Sequence, residues 1–256
     1  MAALGLIMIK GENEPDDGKR EPKPDEARTP SAPVLRLIPW GVVGIASLLV
    51  AAFAELSDEL GDAQEAAMPA FAADATILRF VAQFRRPWLD GLAIDLTALG
   101  SPIVVALFTL ALGAVLLLKS DRRGAAILVL TSLVSAAAVV VSKTLFDRPR
   151  PSVVPRLVEV TGLSYPSGHS LGSAAVFLTA AIIMARHFPV RTGRLGSLAV
   201  TAVLVSLIGA SRVYLGVHYP SDVLGGVLLG TAWTVFMSIL LRWLDRRATV
   251  RRNART

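Results

Sequence analysis

Residues 124–142 read GAAILVLTSLVSAAAVVVS, a run without one Asp, Glu, Lys, Arg or His. A helix needs about 20 such residues to cross the hydrocarbon core of a bilayer, with a range of roughly 17–25. Five more uncharged runs stand at 37–54, 96–118, 170–185, 195–211 and 223–241, and the six range from 16 to 23 residues. The shortest can borrow a turn at either end. Buried helices of a water-soluble protein are the other reading, and it fails on size. A chain of 256 residues cannot wrap six such helices in polar ones. The expectation is an all-α bundle of six membrane spans.

Composition agrees. Hydrophobic residues make up 53% of the chain and the mean hydropathy is +0.57, too apolar for an ordinary soluble domain. With no cysteine, disulfides and a cysteine nucleophile are both excluded. The net charge of +6 could suggest nucleic acid, but most basic residues lie in tails and short loops, and no nucleic-acid motif accompanies them. Residues 1–33, rich in Pro, Glu, Asp and Lys, are expected to form a disordered cytoplasmic tail. The membrane domain then occupies 34–245 and a basic tail 246–256, with disorder expected from Val250 onward.

Orientation follows from where the basic residues fall. Six spans put both termini on one side with the loops 119–123 and 186–194, and that side holds 18 of the 26 Lys and Arg. The positive-inside rule makes it cytoplasmic. Between the first two spans, Ile77, Phe80, Val81 and Phe84 recur at helical spacing, followed by Arg85, Arg86 and Trp88. This predicts an amphipathic helix, either flat on the bilayer or packed on the bundle.

Parity gathers the chemistry. Lys143 ends the third span, His169 begins the fourth, Arg212 ends the fifth and Asp222 begins the sixth, so all four share the outward side. Three segments carry them: Lys143 with six residues before Arg150-Pro151; Pro166-Ser167-Gly168-His169; and Ser211-Arg212, then His218, then Asp222. Charges at span ends often merely anchor helices, but a cluster of Lys, Arg, His and Asp is harder to dismiss. Lys143, Arg150 and Arg212 suit the charge of a phosphoryl group in transfer. Ser167 can donate its hydroxyl, and Gly168 lets the backbone at a helix start approach an anion. His218 lies four positions before Asp222, so the carboxylate can orient the imidazole for attack. His169 is then the candidate general acid.

Together the three segments resemble the pattern of the type-2 phosphatidic acid phosphatase superfamily, which also includes vanadium-dependent haloperoxidases. The resemblance spans about 96–241, and every position of the pattern is matched in order. It implies a phosphohistidine on His218, no cofactor and no metal requirement, and a lipid phosphate as substrate held at the bilayer surface. Candidate substrates are polyprenyl diphosphates such as undecaprenyl diphosphate, phosphatidic acid and phosphatidylglycerol phosphate. A phosphotransferase using the same histidine, a non-catalytic lipid binder and a vanadate-dependent peroxidase are the rivals. Off the pattern, Asp147 and Arg148 are read as a local ion pair or solvated loop, and Arg156 and Glu159 as loop charges. Tyr165, Tyr214 and Tyr219 are read as interface aromatics, and His187 as a cytoplasmic interfacial residue.

Overall fold

A computed structural model describes residues 33–65 and 72–253 of the chain. All regular structure among them is helical: α1 Pro33–Glu65, α2 Ala72–Ala82, α3 Pro87–Leu99, α4 Pro102–Leu118, α5 Arg122–Phe146, α6 Gly168–Ala185, α7 Arg191–Tyr214 and α8 Pro220–Asn253. Local chemistry sets several ends. Ser101 caps α4 by accepting from the Val104 amide at 3.3 Å, with Pro102 at the first helical position. Asp121 caps α5 through the Gly124 amide at 2.9 Å, and Asp147 closes it in the left-handed region. Ser167 caps α6.

By length and composition α5, α6, α7 and α8 can each cross a membrane, and α3 with α4 makes a fifth crossing if the bent pair is one span. The uncharged run 96–118 is thus not one straight helix. It bends by 49° where α3 meets α4, at Gly100 and Ser101. A Cβ on Gly100 would stand 2.6 Å from Ile208 and 3.3 Å from His169 Cβ, so the kink brings backbone against a histidine of the motif cluster. The run 37–54 lies inside α1, some of whose side chains fall outside the described residues.

Helix α6 is central. Most of its residues are buried, and α4, α5, α7 and α8 all pack on it. Its closest neighbour is α8, where glycines let the backbones meet. A Cβ on Gly226 would lie 2.7 Å from Ser167 O, and one on Gly230 2.6 Å from Leu171 O. Outer helices instead expose Leu107, Leu110, Leu133, Val140 and Val200. A surface of that kind belongs in hydrocarbon, since water would penalise it. At the far end from the motif cluster, Arg186 bridges Asp121 at 2.5 Å and Asp245 at 3.1 Å, and His187 Nε2 lies 3.7 Å from Asp121.

Two expectations change here. Helix α8 continues through Asn253, so disorder does not begin at Val250. Ala and Arg are good helix formers, and the segment extends a helix already nucleated by packing. The predicted disorder of 1–33 lies outside the described residues, save Pro33, which begins α1. The amphipathic segment does form α2, but Ile77, Phe80 and Phe84 face outward, while Asp74 and Leu78 are buried against the bundle.

Candidate active site

The loops joining α5 to α6 and α7 to α8, with the ends of those helices, bring the three motif segments together. His218 lies one turn before Asp222, with Pro220 opening α8 between them. Its Nδ1 is 3.3 Å from Asp222 Oδ2 and 3.4 Å from Ser164 Oγ. Its Nε2 is 3.2 Å from Arg150 Nη1. Arginine can only donate, so Nε2 must accept and the ring proton must sit on Nδ1. The geometry therefore selects the tautomer with a lone pair on Nε2. Burial pushes the imidazole down to about 4 from its ordinary 6.5, against the raising pull of Asp222 and helped by Arg212 and Arg150.

Asp222 is itself held from several sides. Its Oδ2 accepts from the Ser164 hydroxyl and from the Tyr219 amide at 2.8 Å, while Oδ1 receives Arg148 Nη1 at 2.5 Å. Arg148 is 6% exposed, so the reading of Asp147–Arg148 as a local pair or solvated loop is wrong for Arg148. It reaches away from its neighbour, packs its guanidinium 4.2 Å from the Tyr219 ring centroid and binds Asp74 at 2.8 Å through Nη2. Asp147 itself stays exposed as the cap of α5.

The cationic groups converge on the same place. Arg150 is tied by the carbonyls of Val217, Gly162 and Thr161 at 2.9, 3.0 and 3.1 Å. Arg212 is buried; its Nη1 donates to Thr97 at 2.8 Å, while its Nε has no partner among the described residues. A buried guanidinium nitrogen left open is costly unless a ligand answers it. Lys143 and His169 are half-buried and lie within electrostatic reach of Arg150 and Arg212. Ser167 is fully buried, and its Oγ accepts from the amide and hydroxyl of Ser170. It caps α6, with Gly168 as the first helical residue against Val139.

The PAP2 superfamily model matches residues 124–246, the stretch that holds all three segments. Phosphatidylglycerophosphatase B of Bacillus subtilis is 32% identical over 159 residues, covering 62% of this chain and 78% of that protein. The chain belongs to the PAP2 superfamily. An undecaprenyl-diphosphatase of Sulfolobus acidocaldarius is 35% identical over 156 residues, 59% of this chain and 69% of that one. Among PAP2 structures, a transmembrane phosphatidylglycerolphosphate phosphatase of Bacillus subtilis superposes with a TM-score of 0.68 at 27% identity, covering 79% of this chain and 96% of its own.

Some residues that build this PAP2 site lie before the matched segment and escaped sequence reading. Thr97 of α3 holds Arg212, and Asp74 of α2 holds Arg148. Asp74 did leave a trace: it shares a helical face with Leu78 and Val81, and a carboxylate on an apolar face calls for a partner. The tyrosines are also corrected. Tyr165 is fully buried, stacked on Phe53, its hydroxyl 2.9 Å from Ser57. Tyr214 donates to Asp90 at 2.6 Å and accepts from the Arg86 amide. Arg85, just after α2, bonds to the carbonyls of Tyr214 and Pro155, stapling that turn to the end of α7 and to the loop between α5 and α6. Arg156 and Glu159 are exposed, as loop charges should be. Beside the site an apolar cavity of about 390 Å³ lies between α2, α3 and α7, bordered by Ile77, Leu92, Leu207, Tyr214 and Pro220.

Proposed function

We propose that the chain is an integral membrane lipid phosphatase acting through a phosphohistidine on His218. The observation that carries this reading is the 3.2 Å approach of Arg150 Nη1 to His218 Nε2, which makes that nitrogen an acceptor within a group of cations. Phosphate oxygens that take up the N–H groups of Arg150, Arg212 and Lys143 bring phosphorus to that lone pair. The amide of Gly168 at the start of α6 and the neighbouring Ser167 add hydrogen-bonding groups at the same point.

In the first step Nε2 bonds to phosphorus and the bond from phosphorus to the leaving oxygen breaks. His169 gives that oxygen a proton, and Asp222 stabilises the charge on the His218 ring. A bound phosphate dianion favours the protonated form of His169 beforehand. Water then gives a proton back to His169 and attacks phosphorus, the P–N bond breaks, and phosphate leaves with both histidines restored.

The substrate is a lipid phosphate or diphosphate, its chain lying in the apolar cavity, whose volume falls in the usual ligand range of roughly 300–1,000 Å³. Polyprenyl diphosphates and phosphatidylglycerol phosphate lead, because the relatives carry those activities in their names. Six crossings, with α1 as the first, place both termini in the cytoplasm and the site outside, supported by the distribution of Lys and Arg. Phosphate release from a panel of lipid phosphates by purified protein in detergent, with and without chelator, tests the proposal. Release that persists with chelator and vanishes in His218→Ala is expected. A wild type no faster than that variant across the panel would refute it.

A further inference from the structure

Asp74 stands outside the three motif segments and outside the matched stretch 124–246, yet it is one of the most enclosed charges among the described residues. Its Oδ2 binds Arg148 Nη2 at 2.8 Å and accepts from the Ser221 hydroxyl, and its Oδ1 accepts from the Ser221 amide at 3.0 Å. Arg148 thereby sits between two buried carboxylates, giving Nη2 to Asp74 and only Nη1 to Asp222. Ser221 completes the link, since its Oγ also accepts from Arg148 Nη1 at 2.7 Å.

This division has a chemical consequence. A guanidinium next to a single carboxylate tends to grip both oxygens in a two-pronged pair. Here such a grip would take Asp222 Oδ2, the oxygen that faces His218 Nδ1 and fixes its tautomer. It would also cancel the negative charge on which an imidazolium or phosphorylated ring depends. We propose that Asp74 is a positioning residue: by holding half of the Arg148 guanidinium, it keeps Arg148 off Asp222 Oδ2, the oxygen that His218 shares with the Ser164 hydroxyl and the Tyr219 amide, and leaves the three-charge group net negative. Asp74 thus contributes to the reaction through Arg148 without touching substrate itself.

The inference rests on the phosphatase reading above, and the test separates the two. Single-turnover and steady-state phosphate release are measured for wild type, Asp74→Asn, Arg148→Gln and the double variant, each checked for folding by thermal melting in detergent. Asp74→Asn keeps an acceptor for Ser221 and removes the charge. It is expected to lower kcat about tenfold with KM changed less than twofold, a size usual for coupled residues in one buried network. In the Arg148→Gln background the same change should cost less than twofold, because its route of action is already gone. Should Asp74→Asn fail to fold, Asp74→Ser takes its place in the same cycle. Full kcat in the Asp74 variant, or losses that multiply in the double variant, would overturn the assignment. A wild type that releases no phosphate from any lipid phosphate would instead sink the phosphatase reading.

Discussion

Arg148 Nη1 lies 2.5 Å from Asp222 Oδ1, and both side chains are almost wholly enclosed. A residue off the three-part pattern thus grips the carboxylate that orients the candidate nucleophile. Removing one member of such a buried pair leaves an uncompensated charge, which typically costs about 3–5 kcal/mol. Here Asp74 would be stranded as well.

Arg148→Ala should therefore lower turnover by about 10³-fold, approaching the ~10⁴ seen when a triad acid is lost. The melting temperature should fall with it. Full activity in a well-folded Arg148→Ala protein would return Arg148 to the role of a loop charge.

The clamp is tested at Arg212 and Lys143. Each change to Ala should reduce kcat by about 10²–10³, the loss of one preorganised donor. Thr97→Val should cost about tenfold or less, since it frees Arg212 Nη1 without removing the charge. If Thr97→Val proved as damaging as Arg212→Ala, the role of Arg212 would be structural.

The two histidines separate by leaving group. His218→Ala should abolish turnover on every substrate, and no acid-labile phosphohistidine should form. His169→Ala should lose about 10²–10⁴ on a lipid monophosphate, whose alkoxide needs a proton to depart. On a nitrophenyl phosphate the loss should be much smaller in single-turnover rates at saturation, and the phosphoenzyme should still appear. Equal losses for both variants on both substrates would defeat this division of labour.

Acid pH supplies an independent check. His218 is held near 4 by burial, below its ordinary 6.5, so the ring stays neutral at pH 6 and gains a proton only as pH falls toward 4. After correction for ionisation of the substrate, the acid limb of kcat/KM that belongs to His218 should lie well under 6.5. Stability follows the same sign: the contribution from the neutral ring is full above 6.5 and is lost as pH falls through the folded value. Asp222→Asn removes a raising influence and should move the residual acid limb lower still. An acid limb at 6.5 or above in wild type would contradict the buried, neutral imidazole.

Sidedness is open to labelling. A cysteine replacing exposed Ser152 should react with a membrane-impermeant thiol reagent in intact cells, and one replacing Thr192 should not. The opposite pattern would put the site in the cytoplasm.

Runs without charge determined the helical membrane architecture, because in hydrocarbon a backbone can satisfy itself only along a helix or within a closed barrel. Parity of those runs and three short spacings likewise sufficed to gather Lys143, Arg150, Ser167, Gly168, His169, Arg212, His218 and Asp222. Those signals are local in the chain or follow from counting crossings. What holds the gathered groups is not local. Asp74 and Arg148 are 74 residues apart, and Thr97 and Arg212 are 115 apart. A lone Asp in a helix or a lone Thr in an apolar run looks the same whether it meets lipid or a guanidinium. Only packing decides that, here by turning the 74–78 side of α2 inward and by bending the run 96–118 at Gly100. The proton on His218 Nδ1 was fixed the same way, by an arginine 68 residues distant that can only donate.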